Sequence, residues 1–352
     1  MMNWQLFWDL LSMDSTSGRE RAVAQWLLER LEAPSKQAME VGDGTLNLLF
    51  GWGTPRVVFC THMDTVPPYF PPSFPENILS HSPRPGAAKP SEENISREDV
   101  ITGRGSCDAK GQVFVMYSAC KELEASGFTD FGLLLLSGEE TGSWGAKAFA
   151  KTDFRAPYLV VGEPTENKMV SAAKGTLSYG LRFCGEPFHS GYPQYGVSAV
   201  DLFNQFYNQL KEKDFGTDPL LGPTTWNVGL LHSDNPQNIL APELSCRLYF
   251  RTTFVSHQAV QDWMEMAGQA GRPEVTARGG DVPARYWVPE GFASAPVAFG
   301  SDAPHLGNFR HKAIVGPGSI RTAHRPDEQV SVEELQEAVD LYVRLARKIQ
   351  TT

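Results

Sequence analysis

The chain has 352 residues, about twice a typical single-domain length, so a sizeable core and two domains are expected. Lys and Arg total 31 against 41 Asp and Glu, and the formal net charge of -10 argues against a protein that binds the phosphates of nucleic acid. No segment has the length and apolarity of a membrane span, and Met1 to Ser15 lack the pattern of a signal peptide, so we expect a cytoplasmic protein.

In chain order, the first predicted element is a helix after Ser17, because Ser17 and Glu20 have the spacing of a capping box and an apolar stripe follows. Five short apolar runs have the character of strands buried on both faces, which is typical of a mixed, mostly parallel α/β sheet. These runs are 46–50, 57–60, 133–136, 158–161 and 313–315. A helical pattern at 111–126 separates two of them, and helices are expected on both faces of the sheet.

The middle third of the chain predicts the order β-α-β-β-α-β, which suggests a small ferredoxin-like α+β domain. Its elements are strands near 177–183, 225–231, 244–252 and Val275, and helices near 198–211 and 258–268. We expect a catalytic domain of residues 1–171 and 284–352, and an inserted domain of residues 172–283. A capping box at Ser331 and Glu334 opens the last predicted helix. Pro67 to Glu98 are interpreted as a long surface loop.

The five cysteines are scattered and include no CxxC pair, which favours buried thiols in a reducing compartment over a disulfide framework. They are interpreted as packing residues.

Polar residues come directly after three of the predicted strands, where open α/β sheets bind ligands. They are His62 and Asp64, then Glu139 and Glu140, then Glu163, and Asp108 lies in a glycine-rich turn before the helix at 111–126. We expect these side chains to meet at one edge of the sheet, where the carboxylates would repel each other unless positive charge lay among them. Imidazole and carboxylate ligands without thiolate favour zinc, with cobalt and manganese next, over calcium or an iron-sulfur cluster. Asp64 has the spacing to hold the His62 imidazole in its ligating tautomer.

At these residues the sequence resembles the M20 family of metallohydrolases. Five motifs follow one another in family order over about residues 5–345. They are His62-x-Asp64-x-Val66-Pro67, Gly103-Arg104-Gly105 with Asp108-x-Lys110-Gly111, Glu139-Glu140, Gly162-Glu163-Pro164-Thr165, and Gly316-Pro317-Gly318 with Ala323-His324 and Asp327-Glu328. Each motif alone is a weak signal, but five in order are a strong one.

The resemblance implies a site with two divalent metal ions, zinc first and cobalt as the alternative. Its implied ligands are His62 and Glu163 for one ion, Glu140 and His324 for the other, and Asp108 bridging both. A cis peptide bond is implied between Asp108 and Ala109. Glu139 is implied as the general base, which takes a proton from water and passes it to the leaving nitrogen.

The resemblance also implies that the inserted domain forms a homodimer and supplies His189 to the partner's active site. There His189 would donate to the oxyanion of the tetrahedral intermediate. Lys174, Asn238 and Arg251 match family positions that contact substrate, and a cation there suits a substrate carboxylate.

The segments around Glu139 and Glu163 look most like those of acetylornithine deacetylase and succinyl-diaminopimelate desuccinylase. The expected activity is therefore removal of an N-acyl group from a small, carboxylate-bearing amino acid. An exopeptidase or dipeptidase remains open, because the same metals and base serve all three chemistries. Departures from the family pattern at Phe299-Gly300 and at His232 to Asp234 leave the substrate undecided.

Two other classes are rejected on the sequence. Dinucleotide binding is disfavoured because Asp108 occupies the position of the third glycine, where its charge would repel pyrophosphate. An inactive binding homologue would have lost a ligand or the base, and none of the six expected positions is lost.

Overall fold

The computed structural model describes residues 2–42, 44–75, 78, 96, 99–271 and 273–351. Most of the predicted loop from Pro67 to Glu98 therefore lies outside the described residues. The chain divides into two compact units. The first consists of Met1–Val170, Tyr286–Ala295 and Ser301–Thr352, and the second of Ser171–Arg285 and Pro296–Gly300.

Helices and strands are numbered along the chain. Up to residue 161 they are α1 (Trp4–Leu11), α2 (Arg21–Arg30), β1 (Ser35–Gly42), β2 (Thr45–Trp52), β3 (Val57–His62), β4 (Val100–Thr102), α3 (Lys110–Ala125), β5 (Phe131–Leu136), α4 (Trp144–Phe149) and β6 (Ala156–Val161). Between residues 169 and 285 they are β7 (Met169–Ala173), β8 (Gly175–Cys184), α5 (Ala199–Glu212), β9 (Thr217–Asp218), β10 (Gly222–Pro223), β11 (Thr225–His232), β12 (Glu243–Thr252), α6 (His257–Gln269), β13 (Glu274–Gly279) and β14 (Ala284–Arg285). The remainder are β15 (Ser294–Val297), β16 (Phe309–Ile314), β17 (Gln329–Ser331) and α7 (Val332–Gln350).

The first unit is built on a six-stranded sheet in the order β1-β2-β5-β3-β6-β16. The β1–β2 and β2–β5 pairs are antiparallel, and the other three pairs are parallel. Every residue of β2, β3 and β5 is buried, so both faces of the sheet are covered. The predicted fold class, a mixed and mostly parallel α/β sheet, is confirmed.

Helices α1, α3 and α7 contribute to the main core of this unit. Phe7 of α1 stacks on Phe114 of α3 with ring centroids 4.6 Å apart, and Tyr342 of α7 packs edge-on against Phe59 of β3. The Tyr342 hydroxyl is satisfied in this apolar setting because it donates to the Val315 carbonyl at 2.7 Å. The core thus fixes β3 and the end of β16, which lead into the polar residues described below.

The two predicted capping boxes have opposite outcomes. At α7, Ser331 Oγ accepts from the Glu334 amide and the Glu334 carboxylate accepts from the Ser331 amide, a contribution of about 1 kcal/mol. The box predicted at Ser17 is wrong, because α2 begins at Arg21 and its N-cap residue, Glu20, makes no side-chain capping hydrogen bond. The Ser17 hydroxyl instead donates to Asp64 Oδ2 at 2.8 Å.

The second unit is a four-stranded antiparallel sheet in the order β11-β12-β8-β13 with α5 and α6 packed on one face. The element order is the predicted β-α-β-β-α-β. Its core is made by alternate strand residues, including Leu177, Leu181 and Leu248, that face the helices. Ser171–Arg285, the main part of this unit, begins and ends in a short antiparallel pair in which Ala172 faces Arg285 and Ala173 faces Ala284, and the chain returns to the unit at Pro296–Gly300.

None of the described helices has the length and apolarity needed to cross a bilayer.

Candidate metal centre

His62 ends β3 and is almost fully buried, with 1% of its surface exposed. Its Nδ1 lies 2.9 Å from the main-chain carbonyl oxygen of Asp64, which can accept a hydrogen bond only from a protonated Nδ1, so in the neutral imidazole Nε2 carries the free lone pair. Nε2 faces Asp108 Oδ1 at 3.0 Å. The Asp64 carboxylate is farther from Nδ1, at 3.4 Å, so the carbonyl of Asp64 orients the imidazole more directly than the predicted carboxylate does.

The buried Asp64 carboxylate holds the turn that carries Glu139 and Glu140. It accepts from the Glu139 amide at 3.0 Å, from the Glu140 amide at 3.2 Å and from the Ser17 hydroxyl. Burial raises the pKa of Asp64, but these bonds and the adjacent His62 outweigh it and hold that pKa below its usual value. One carboxylate therefore links the end of β3 to the end of β5.

Asp108 lies between the two predicted histidine ligands, with one carboxylate oxygen facing each. Oδ1 faces His62, and Oδ2 lies 3.2 Å from His324 Nε2. The same His324 nitrogen lies 2.9 Å from Glu140 Oε1. Bonds with Asp108 and Glu140 raise the pKa of His324 to about 10. Burial raises the pKa of Asp108, but the two histidines more than offset it and hold that pKa well below its usual value.

Two groups of three side chains have the geometry of metal sites and share Asp108. His62, Asp108 and Glu163 form one group, and Asp108, Glu140 and His324 form the other; within each, the ligand atoms lie within 4.8 Å of one another. A third group joins His62 and Glu140 to Glu139. The structure thus brings together the five residues predicted as ligands and the predicted base.

The donor set fits divalent cations. Glu163 is 4% exposed, and its Oε1 has no hydrogen-bond partner among the described residues. Burial holds the pKa of Glu139 and Glu163 well above the usual range, and neighbouring carboxylates such as Asp108 raise both further. A cation among these oxygens would remove both the repulsion and the unsatisfied acceptor, and mixed imidazole and carboxylate ligation suits zinc.

Glu328, which the sequence analysis included in a motif but gave no role, anchors the turn that carries Asp108. It is fully buried, and its Oε1 accepts from the amides of Gly105, Cys107 and Asp108 at 3.0, 3.1 and 2.9 Å. Its Oε2 accepts from Arg104 Nη1 at 2.5 Å. The following peptide bond, Asp108-Ala109, is cis, as the resemblance implied. The sequence offered one indication of this role: Arg104 and Glu328, which have opposite charges, both belong to the family motifs.

Asp302 is a second acidic residue that the sequence analysis did not assign. It is 2% exposed, and burial raises its pKa to about 7. In the sequence, its only distinction was its position close to Phe299-Gly300, where the chain departs from the family pattern.

The other predicted site residues lie in the second unit and form two pairs. His189 is exposed, and the amide of Ser190 beside it donates to the Asn238 carbonyl at 2.9 Å. Lys174 is buried and donates through Nζ to the Pro223 carbonyl; burial lowers its pKa, and the charge of nearby Arg251 lowers it further.

A sheet that gathers histidines and carboxylates, most of them buried, in two groups sharing one carboxylate is typical of a metal-dependent hydrolase of the α/β class. A sequence profile described as Peptidase family M20/M25/M40 matches residues 58–348. The chain belongs to this family of metal-dependent peptidases.

Similar proteins agree with this placement over almost the full length. A peptidase M20 domain-containing protein of Schizosaccharomyces pombe is 30% identical over 351 residues, covering 96% of this chain and 82% of its own. A probable carboxypeptidase of Aspergillus oryzae is 30% identical over 378 residues, covering 96% and 85%. The crystal structure of a tripeptidase from Staphylococcus aureus has the same fold, with a TM-score of 0.76, 16% identity and coverage of 100% and 98%.

Proposed function

We propose that this chain hydrolyses the amide bond of a small substrate whose amine-side product is an amino acid with a free carboxylate. The first candidate is an N-acyl amino acid, cleaved as by an acetylornithine deacetylase or a succinyl-diaminopimelate desuccinylase. The proposal is supported above all by the position of Asp108. Its two carboxylate oxygens face two histidines, and it belongs to both groups of candidate ligands.

Two bound divalent cations, zinc in the first instance, would polarise the scissile carbonyl and lower the pKa of the attacking water. His62, Glu163, Glu140, His324 and the shared Asp108 would hold them. Glu139 takes the proton of the water and passes it to the leaving nitrogen. Burial and the neighbouring carboxylates hold the pKa of Glu139 well above its usual value, which favours proton uptake, and the charge of His62 only partly offsets that rise.

The second unit supplies the groups that recognise the substrate in this proposal. Arg251 and Lys174 provide positive charge for the substrate carboxylate, and Asn238 provides an amide for its polar atoms. His189 donates to the oxyanion, a contribution of about 3 kcal/mol to the transition state.

The same unit is proposed to form a homodimer that places His189 in the partner's site. Strand β11 is an edge of its sheet, and Leu231 at its end is 55% exposed, the type of apolar surface that a partner covers.

The second candidate function is a carboxypeptidase or dipeptidase, which the name of the Aspergillus oryzae relative favours. In both cases the bond cut is an amide next to a free carboxylate, so the metal and base residues cannot distinguish them. The pocket that receives the acyl side of the substrate determines whether an N-acyl amino acid or a peptide is cleaved.

A cytoplasmic location is also proposed. All five cysteines are free, and four of them are buried, as expected of a protein in a reducing compartment.

A rate comparison tests the activity. Purified protein with added zinc or cobalt is assayed on N-acetyl amino acids, N-succinyl amino acids and dipeptides, each paired with its C-terminal carboxamide. We expect turnover of at least one free carboxylate and much slower turnover of its carboxamide. The matched variant Glu139→Gln keeps the ligands and should retain both metals while losing most turnover. A wild type inactive on all three classes, or a Glu139→Gln variant with near-wild-type rates, contradicts the proposal.

A further inference from the structure

The sheet of the second unit has one face against the helices and one open face. Along β12 the residues alternate, so that Leu244, Cys246 and Leu248 are buried while Ser245 and Arg247 lie on the open face. The open face carries Arg182, Arg247 and Arg278, although the chain has a net charge of -10.

A groove of about 360 Å³ crosses this open face. Its lining includes Arg182, Arg247 and Arg278, the hydroxyl-bearing Ser245 and Thr276, and the carboxylate of Glu274. Its volume lies within the range of small-molecule pockets.

Glycines create the space around Arg247. The residues directly opposite it on the two neighbouring strands are Gly229 on β11 and Gly180 on β8, so neither directly paired residue places a side chain against it. Arg278 reaches over Gly180 from β13: a Cβ atom added at Gly180 would lie 3.3 Å from Arg278 Nε. The guanidinium groups of Arg247 and Arg278 therefore both lie beside the backbone of Gly180, which has no side chain.

The three arginines differ in whether a carboxylate neutralises their charge. Arg182 is neutralised by Glu243 at 2.7 Å and Glu274 at 3.1 Å. Within the described part of the chain, Arg247 and Arg278 have no carboxylate within ion-pair distance. Their planar donor forks match carboxylate and phosphate oxygens.

We infer that this groove binds a small metabolite through a carboxylate or phosphate group held between Arg247 and Arg278 above Gly180. The hydroxyls of Ser245 and Thr276 supply further donors. Arg251, proposed above for the substrate carboxylate, lies four residues along the same strand and the same face, roughly 13 Å away. The two anion sites are therefore separate, and binding in the groove does not require turnover.

Calorimetric titration of the full-length, metal-loaded protein with inorganic phosphate, and separately with glutarate, tests the inference. The two probes distinguish a phosphate ligand from a carboxylate ligand. We expect saturable binding of at least one probe, weakened at least about tenfold in Arg247→Gln and in Arg278→Gln, because each variant loses a charge-assisted bond. Gly180→Val keeps both charges but fills the groove, and should weaken binding similarly.

Arg310→Gln is the matched control, since it removes one exposed arginine from the first unit and should bind the probes as wild type does. Circular dichroism and melting temperature establish that each variant is folded; if Gly180→Val is not, the two arginine variants decide. Absence of saturable binding by both probes overturns the inference. So does binding that is unchanged in both arginine variants, because the probe would then be held elsewhere, for example at the metals.

Discussion

Replacing Glu328 by alanine tests whether the turn carrying Asp108 is held by this single carboxylate. The variant would leave the Arg104 guanidinium, 1% exposed, without its ion pair, and three amides of the turn without their acceptor. Removing one partner of a buried ion pair costs about 3–5 kcal/mol, and each unsatisfied amide adds about 1–3 kcal/mol unless water enters. Because these terms overlap, we expect a loss of about 4 kcal/mol, a large part of the 5–15 kcal/mol typical of a domain.

The loss should appear in two measurements. Urea denaturation followed by circular dichroism should show a lower midpoint, and metal analysis after gel filtration should show less bound zinc, because Asp108 is no longer fixed. Glu328→Gln keeps the shape and one acceptor oxygen and should be less affected. Asp327→Ala is the matched control, since Asp327 is exposed and, among the residues that the structure describes, forms its ion pair with Arg325 on the surface. The reasoning is refuted by a Glu328→Ala protein that unfolds at the same urea concentration as Asp327→Ala and keeps its full metal content.

Three further outcomes are expected. Asp64→Asn should weaken zinc affinity about 10- to 100-fold in a chelator competition, since Asp64 orients His62 and the turn after β5; unchanged affinity would argue against that role. Zinc should raise the melting temperature less at about pH 5 than at about pH 7.5, because His62 and His324 must lose protons to bind it, and an equal rise at both pH values would contradict the ligand assignment. Mixing His189→Ala with Glu139→Ala subunits should restore part of the activity; verified mixed dimers without activity would exclude sharing of His189.

The buried strands were predictable because their sequence carries the signal. Strands β2, β3 and β5 are covered on both faces, so nearly every residue is apolar, and their ends are marked by the change to polar residues. Strand β1 was missed because it lies at the sheet edge, mostly exposed, and has no apolar alternation. Helix α1 was missed although Asn3 caps it, since only two turns of pattern are present.

The residues of the site, like the strands, divide into those that the local sequence predicts and those that it does not. His62, Glu139 and Glu163 were found because each follows an apolar run, a relation that the local sequence shows. The roles of Glu328 and Ser17 depend on contacts with residues far away in the chain, Arg104 and Asp64, and no local pattern specifies such pairs. Ser17 was even misread, because a serine three residues before a glutamate predicts a helix cap whether or not a distant carboxylate competes for its hydroxyl.

The antiparallel pairing of Ala172–Ala173 with Ala284–Arg285 gives the second unit ends that face each other. Opposed residues of such a pair lie about 5 Å apart, a gap that a two-residue hairpin turn closes. Excision of the segment between them would therefore leave ends that a short turn can rejoin. The released piece would carry away its own core, and only Pro296–Gly300 of the second unit would stay behind. Such an arrangement allows a lineage to exchange, enlarge or discard this module by recombination without rebuilding the sheet that holds the acidic cluster.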